Sequence, residues 1–273
     1  FATKNGLSVF KKDKNTFTNY RHNPLKSASL SDDDVKCFLK DRHGDIWIGT
    51  NGGGVNFFQK TNTNFSTITE VIPPNFGLNN AMVNAVAKET DGSLWVGTNG
   101  GGLNHLNFKN NKNTTYLIDH FEKTVNMITS LVHQNSQNLY CGTFKGLFRF
   151  NKTTRTFSRI SLSQKDSKEN ERPITSLLMD NGDLWVGTNG NGLKKITQDG
   201  TIESYMAEGT GNSISDNFIT DIANRNNGLW IATQYGLNFF DKRLKKVTKV
   251  YKTGGKSGLP NNSLTVMFTD SKG

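Results

Sequence analysis

A single short motif recurs six times along this chain: a threonine followed three or four residues later by a glycine and then an aliphatic residue. The copies are Thr3/Gly6/Leu7, Thr50/Gly54/Val55, Thr98/Gly102/Leu103, Thr143/Gly146/Leu147, Thr188/Gly192/Leu193 and Thr233/Gly236/Leu237. Successive threonines lie 47, 48, 45, 45 and 45 positions apart. A repeat of this length is one supersecondary unit that must stack on copies of itself to bury its apolar face. We therefore predict a single repeat array over residues 1–273.

One copy of the repeat, residues 83–117, indicates the secondary structure of the unit. Its apolar and β-branched segments predict four strands, at 83–88, 94–98, 103–108 and 114–118. Asp91-Gly92, the run 99–102 and the polar run 110–113 are typical of tight turns between them. The unit therefore predicts four strands joined by hairpins, without a helix.

Four hairpin-connected strands every ~45 residues are the signature of a propeller blade. We therefore predict an all-β fold, a β-propeller of four-stranded antiparallel blades with six repeat-lengths present. A parallel β-helix is the competing repeat fold, but it lacks two glycine-rich hairpin turns in each coil. The repeat register predicts that the array is cut in mid-blade at both ends. It either closes here or continues as part of a larger or tandem propeller.

Charge and apolar patterning limit the classes of partner. The chain has 33 basic and 23 acidic residues, a formal net charge of +10, which favours acidic partners such as anionic glycans. The basic residues form no stripe with interleaved aromatics, so we predict no nucleic-acid binding. The densest basic run, 242–252, is interpreted as edge protection on an outer hairpin. No stretch approaches the ~18 apolar residues of a membrane helix, so we expect a membrane connection only through segments outside this sequence.

Residues with catalytic or metal-binding chemistry are scattered. The five histidines have no metal-ligand spacing, so we predict no metal, no cofactor and no catalytic residue. Cys37 and Cys141 are expected to be free thiols; a disulfide between them would need Cα atoms within about 7 Å.

The segment Asp41-x-x-Gly-x-Ile-Trp-Ile-Gly-Thr-Asn-Gly-Gly-Gly-Val55, repeated at 91–103, 180–193 and 226–237, resembles the two-component regulator propeller repeat. The resemblance covers essentially the whole chain, and the copy around Tyr140 departs most from the pattern. Such repeats form the periplasmic sensor region of hybrid two-component histidine kinases of Bacteroidota. The resemblance implies a ligand-sensing ectodomain of an inner-membrane protein, commonly for glycan fragments, and a homodimer in the parent receptor.

Positions at which the repeats differ are the candidate ligand site, because shared positions are committed to building the blades. The variable positions are the turns after the second strands and the segments between blades, at 21–34, 69–82, 119–127, 161–173, 206–218 and 252–263, predicted to share one face. The candidate ligand-binding residues are Phe144, Lys145, Tyr235, Arg172, Lys4, Lys123 and Gln234. The repeated tryptophans 47, 95, 185 and 230 are instead interpreted as packing between blades. Asn51, Asn99 and Asn189, which recur in register, are interpreted as turn formers.

These observations favour a non-enzymatic extracytoplasmic sensor module that recognises an oligosaccharide, acidic or neutral. Two alternatives remain at this point: a propeller polysaccharide lyase or glycosidase, and a pure protein-interaction platform. Glycan binding separates the sensor from the platform, and product formation identifies the enzyme.

Overall fold

The computed structural model describes residues 2–11, 15–41, 43–59, 65–70, 76–163, 171–225 and 227–254, together with residues 259, 261–264 and 267. Residues 1–131 and 132–273 form two compact units, and each is described by itself. The prediction of a single array over residues 1–273, cut in mid-blade at both ends, stays a prediction.

All the secondary-structure elements in the described ranges are strands, arranged in six antiparallel sheets. The first three blades are β1 Ala2–Thr3, β2 Gly6–Lys11 and β3 Thr16–Tyr20; β4 Val35–Lys40, β5 Ile46–Thr50, β6 Val55–Phe58 and β7 Phe65–Ile68; β8 Val83–Lys88, β9 Leu94–Thr98, β10 Leu103–Asn107 and β11 Lys112–Tyr116. The last three are β12 Ile128–His133, β13 Asn138–Thr143, β14 Gly146–Asn151 and β15 Thr156–Ile160; β16 Ile174–Asp180, β17 Asp183–Thr188, β18 Leu193–Ile196 and β19 Ile202–Tyr205; β20 Ile219–Arg225, β21 Gly228–Thr233, β22 Gly236–Asp241 and β23 Lys246–Tyr251.

Five blades have four strands in chain order, and blade 1 has three in the described residues. This confirms the predicted all-β, β-propeller fold class with four-stranded antiparallel blades. In blade 3 the first two strands match the predicted bounds, but β10 ends one residue earlier and β11 begins two residues earlier than predicted. The reason is a turn that starts at Asn107, whose carboxamide oxygen accepts the N–H groups of Lys109 and Asn110. Asn111 then adopts a positive φ of 51° and returns the chain directly into β11.

The repeated threonine closes the turn between the second and third strands of every blade. Its hydroxyl donates a hydrogen bond to the carbonyl oxygen of the repeated glycine, at the turn into the third strand. In chain order the six Oγ1–O distances are 2.7, 3.0, 3.1, 2.9, 2.7 and 2.8 Å. The motif therefore forms a side-chain to backbone hydrogen bond that closes a hairpin turn.

The repeated glycine is required by its backbone geometry. All six copies have a positive φ, between 67° and 124°, a region that residues with a Cβ rarely adopt. Five of them also donate the N–H group to a carbonyl oxygen in the following interblade segment. The pairs are Gly6 with Asp33, Gly54 with Ala81, Gly102 with Asn126, Gly192 with Asn217 and Gly236 with Asn262, at 2.7, 3.0, 3.0, 3.0 and 2.9 Å. The glycine thus shapes a turn and attaches it to the chain segment entering the next blade.

The repeated aromatic residue of the second strand packs in the interior. Trp47, Trp95 and Trp185 are buried, which confirms their predicted role in packing. Trp230 is only partly buried, and it contacts Phe239 and Tyr251 of its own sheet at centroid distances of 4.9 and 5.8 Å. Trp230 therefore also packs against other side chains, but it is less buried than the other three tryptophans.

The aspartate that opens the first hairpin turn connects neighbouring blades in two copies. Lys88 of blade 3 forms an ion pair with Asp41 of blade 2, and its ammonium lies 5.4 Å from the centroid of the Trp47 ring. In blade 5, Asp180 pairs with Lys242 of blade 6 at 2.8 Å. A residue that reads in the sequence as a turn former therefore also carries an ionic contact between blades.

This contact predicts a pH-dependent contribution to stability. Burial acts to raise the pKa of Asp41, but the Lys88 ammonium and two backbone N–H groups outweigh it and hold the pKa below its usual range. A carboxyl with a lowered folded pKa stabilises the fold above its unfolded pKa near 4, and the contribution is lost as the pH falls through the folded value. We expect Asp41→Asn to lower the free energy of unfolding by about 1–2 kcal/mol at neutral pH. In urea titrations the difference between the two proteins should shrink progressively as the pH falls below about 4; a loss that stays constant over this range would contradict the ion pair.

Both cysteines are free, as expected from the sequence. Burial raises the pKa of the Cys37 thiol to about 12, and it raises the pKa of Cys141 as well. A thiol held protonated is a poor nucleophile. Cys37 and Cys141 are therefore packing residues of their strands.

Candidate functional site

In each unit, the turns after the second strands lie against the interblade segments, as predicted. The first residue of four such turns donates its N–H group to a carbonyl oxygen just before the first strand of the same blade. The pairs are Asn51 with Asp34, Asn99 with Met82, Asn189 with Pro173 and Gln234 with Phe218, at 2.9, 2.9, 2.9 and 3.2 Å. Turn and segment therefore form one continuous surface within a blade.

The interblade segments are less different from one another than their sequences indicate. Leu30, Leu78, Leu162 and Ile214 occupy equivalent buried positions in four of them. In three, the next residue donates its N–H group to a buried asparagine on the third strand of the following blade. The pairs are Ser31 with Asn56, Asn79 with Asn104 and Ser215 with Asn238, at 2.9, 3.4 and 2.9 Å. This part of each of these segments is committed to the fold, so the differences that could serve recognition lie elsewhere in them.

The second unit brings three of the predicted site residues onto one surface with Phe218. The Phe218 ring packs on the turn 189–192, where it lies 3.4 Å from the position of a Cβ on Gly190. The Phe218 carbonyl accepts the N–H group of Gln234, which is next to Tyr235. Arg172 directly precedes Pro173, whose carbonyl accepts the N–H group of Asn189. Phe218 and Tyr235 are 41% and 53% exposed, which is high for aromatic residues. We call Arg172, Phe218, Gln234, Tyr235 and Lys252 the Tyr235 surface.

Lys252 also belongs to this surface. Its ammonium lies 4.2 Å from the centroid of the Tyr235 ring, a cation–π contact. It is the last residue of the basic run 242–252, which is interpreted from the sequence as edge protection; the contact with Tyr235 was not predicted. Leu237 pairs with Tyr251, so the strand delivers the next residue to the turn that carries Tyr235. The register of the β22–β23 hairpin indicates this position of Lys252, whereas the number of basic residues in the run does not.

Phe144 and Lys145 form the equivalent turn of blade 4. Phe144 is 45% exposed. The Lys145 carbonyl accepts a hydrogen bond of 2.7 Å from Arg159, whose guanidinium lies 4.6 Å from the centroid of the Phe148 ring. The turn is therefore braced from its own outer strand, and it presents a second exposed aromatic side chain.

Lys4 and Lys123 belong to the first unit. Lys4 is exposed in the turn between β1 and β2, and Lys123 is exposed in the segment 119–127. The Lys123 carbonyl lies 4.0 Å from the position of a Cβ on Gly100, beside the second-strand turn of blade 3. The seven predicted residues thus occupy turn and segment positions in both units, and only Arg172, Gln234 and Tyr235 are linked by the contacts above.

Ionisable groups give little sign of catalytic chemistry. No group of three or more His, Cys, Asp or Glu residues that could hold a metal ion is present among the described residues. Asp221 is a partly buried acid with a shifted pKa: desolvation raises the pKa, while N–H groups of Met267 and Ile222 and the Ser176 hydroxyl oppose the rise. The bond from Ser176 connects β20 to β16 of the neighbouring blade, and the bond from Met267 attaches a residue near the end of the sequence to β20.

Comparisons with known proteins agree with the sequence resemblance. Residues 29–52 and 77–100 match the family model described as two component regulator propeller, which confirms the predicted resemblance to that repeat. Among curated protein sequences, none matches the chain closely enough to count as a relative. Across the described residues, no helix is long and apolar enough to cross a membrane.

Solved structures show the same fold. The extracellular domain of the hybrid two component system BT3049 from B. thetaiotaomicron is 22% identical, with a TM-score of 0.79, over 99% of this chain and 36% of that one. The extracellular domain of BT4673 from the same organism is 22% identical, with a TM-score of 0.73, over 91% and 34%. Virginiamycin B lyase from Staphylococcus aureus is 16% identical, with a TM-score of 0.67, over 93% and 79%. The chain spans about a third of the length of the two ectodomains.

Proposed function

We propose that this chain is a non-enzymatic, ligand-sensing module of an extracytoplasmic receptor of the hybrid two-component type, and that it recognises an oligosaccharide. The observation that carries the proposal is the Tyr235 surface, where exposed aromatic rings and cations stand at positions that differ between repeats. The family match and the structural likeness to two receptor ectodomains support the receptor class. The periplasm is the compartment and an inner-membrane histidine kinase the parent protein in this proposal.

The chemistry of the Tyr235 surface suits a sugar with an acidic group. The apolar face of a pyranose stacks on an aromatic ring, and the Gln234 carboxamide offers both a donor and an acceptor to hydroxyl groups. The guanidinium of Arg172 and the ammonium of Lys252 are suited to a carboxylate or a sulfate, with charge-assisted hydrogen bonds. The net charge of +10 favours approach of an acidic saccharide, and neutral oligosaccharides form the comparison class.

Signalling requires that the ligand distinguish two arrangements of the receptor, because equal affinity for both would shift nothing. We propose that the parent receptor is a homodimer and that the saccharide favours one arrangement of its two chains. The Tyr235 surface is suited to that role, since it combines turns held by backbone hydrogen bonds with side chains that differ between repeats.

The proposal predicts a loss of affinity without a loss of fold. We expect Tyr235→Ala to weaken saccharide binding at least about tenfold, a loss of about 1.4 kcal/mol, because the stacking ring and its contact with Lys252 are both removed. Stability should change little, since the side chain is 53% exposed. Isothermal calorimetry with acidic and neutral oligosaccharides measures the effect. Phe17→Ala, at a ring that is 58% exposed on blade 1, is the matched control and should leave binding unchanged.

Two other outcomes would redirect the assignment. Binding that is unchanged in Tyr235→Ala, with the fold intact, would remove the Tyr235 surface from the site. No binding to any saccharide, together with capture of a protein partner, would favour an interaction platform. A lyase shares this fold, so the same saccharides are also assayed for unsaturated products and reducing ends. Product formation by the wild-type chain would contradict the non-enzymatic assignment.

A further inference from the structure

A cleft of about 180 Å³ opens between blades 5 and 6, within the second unit. The partly buried Tyr205 lies at its base beside the almost fully buried Ile214, Phe240 and Val247, and its rim is polar. The lining residues are Ser204, Tyr205, Met206, Glu208, Thr210, Asn212, Ser213, Ile214, Phe240, Lys245, Lys246 and Val247. One aromatic side chain beneath several polar groups suits a small hydroxylated ligand.

The cleft is separate from the Tyr235 surface. Tyr235 stands in the turn that begins β22, next to the pairing of Thr233 with Gly236. The cleft lies at the other end of β22, beside the hairpin with β23, where Asp241 pairs with Lys246. The two sites are therefore at opposite ends of β22 and can be altered independently.

The same position between blades 1 and 2 is filled by the protein itself. There Phe58 pairs with Phe65, as Phe240 pairs with Val247 in blade 6. The Phe65 ring lies 5.0 Å from Phe58 and 5.5 Å from Tyr20 between centroids, so three aromatic rings close the space. In blade 6 a valine replaces this third ring, and a cleft remains beside Tyr205 and Phe240.

One backbone contact is shared by the two positions. The Phe65 N–H donates to Ala28 of the segment 21–34 at 3.1 Å, and the Val247 N–H donates to Asn212 of the segment 206–218 at 2.9 Å. The pairing of β22 with β23 also has a register shift between Phe239 and Phe240, which the pairing of β6 with β7 lacks. The cleft therefore lies where the first unit holds one six-membered ring, and both the shorter side chain and the shifted strand pairing distinguish it.

The outer wall of the cleft is held in place before any ligand arrives. The Ser213 hydroxyl donates to the Thr210 carbonyl at 3.0 Å and accepts the Glu208 N–H at 3.2 Å. On the opposite side, Glu203 accepts hydrogen bonds from the Tyr205 hydroxyl at 2.5 Å and from Lys245 at 2.6 Å. Preorganised walls reduce the entropy that binding must overcome.

From these observations we propose that the cleft between blades 5 and 6 is a second binding site, which accepts a single hydroxylated six-membered ring such as a monosaccharide. The ring occupies the position that corresponds to Phe65 between blades 1 and 2, with its apolar face toward Tyr205. Its hydroxyl groups face Thr210, Asn212 and the oppositely charged Lys246 and Glu208. The site accommodates one sugar residue, whereas the Tyr235 surface is open to a longer chain.

The test is Val247→Phe, which copies the arrangement of blade 2 and fills the cleft from inside. Saturation-transfer NMR with three probes, D-glucose, D-galactose and D-glucuronate, measures binding to the full chain. We expect at least one probe to bind the wild type, and Val247→Phe to weaken that binding at least tenfold. Thr210→Trp, at the exposed rim, is a second blocking variant that leaves the core untouched and should have the same effect. Tyr235→Ala should retain monosaccharide binding, which separates this site from the proposed oligosaccharide site.

Two results would overturn the proposal. One is the absence of saturation transfer to all three probes in the wild-type protein. The other is binding that survives in Thr210→Trp, or in a folded Val247→Phe. Loss of monosaccharide binding in Tyr235→Ala alone would assign the sugar to the Tyr235 surface instead.

Discussion

Replacing Trp185 by alanine is expected to lower the free energy of unfolding by about 3–5 kcal/mol, the usual cost of removing a large aromatic from a core. Trp185 is buried between blades 5 and 6, where its ring stacks on Tyr205 at 5.9 Å and meets the edge of Phe240 at 5.6 Å. Its indole nitrogen has no hydrogen-bond partner within the described part of the chain. The loss should therefore come from packing rather than from a broken hydrogen bond.

Chemical denaturation followed by circular dichroism measures this loss, and Trp230→Ala supplies the comparison. Trp230 stands at the same strand position but is only partly buried, so its removal should cost clearly less. Equal losses in the two variants would contradict the difference in packing between these blades. A wild-type midpoint for Trp185→Ala would contradict the interior placement of the repeated tryptophan.

Gly192→Ala is expected to be the second severe substitution, with a loss of about 2–4 kcal/mol from backbone strain and steric overlap. Gly192 has a φ of +67°, and a Cβ there would overlap the carbonyl oxygen of Tyr205 on the next strand. Its N–H group also donates to Asn217 at 3.0 Å. Relief of the overlap would displace the turn from the interblade segment that it holds.

Gly200→Ala in the same blade is the matched control. Gly200 has a similar φ of +86°, but no atom lies within 4 Å of a Cβ placed on it. Its substitution should cost only the strain of a positive φ, about 1 kcal/mol. Thermal and chemical denaturation of both variants separate the two effects. Equal losses would show that overlap with the Tyr205 carbonyl contributes nothing.

The fold was predictable because the repeat encodes its own geometry. Threonine, glycine and a following aliphatic residue specify one hairpin turn, and six copies specify six blades of the same kind. The strand bounds of blade 3 were less predictable where asparagine determines the turn, because Asn107 bonds two backbone N–H groups that the apolar pattern does not reveal. The unequal burial of Trp230 was not predictable either, since burial depends on what each blade packs against.

The exposure of the turn that carries Tyr235 was predictable, whereas its neighbours on the surface were not. Sequence differences between repeats select that turn, but Lys252 follows only from the pairing of Leu237 with Tyr251. Phe218 was hidden inside an interblade segment whose neighbours Ser215 and Ile214 are structural. The cleft beside Val247 could not be predicted from the sequence of its own repeat. It is recognised only when the position of Val247 is compared with that of Phe65 in the structure.

The most direct test of ligand recognition on the Tyr235 surface is NMR chemical-shift mapping of the isotope-labelled chain. The ligand is a saccharide whose binding has been detected by calorimetry. The proposed function predicts perturbed resonances at Arg172, Phe218, Gln234, Tyr235 and Lys252. It predicts unperturbed resonances in the turns 181–182 and 197–201, which lie at the other end of blade 5 and do not line the cleft between blades 5 and 6. Perturbations confined to those distant turns, with none on the Tyr235 surface, would contradict the account.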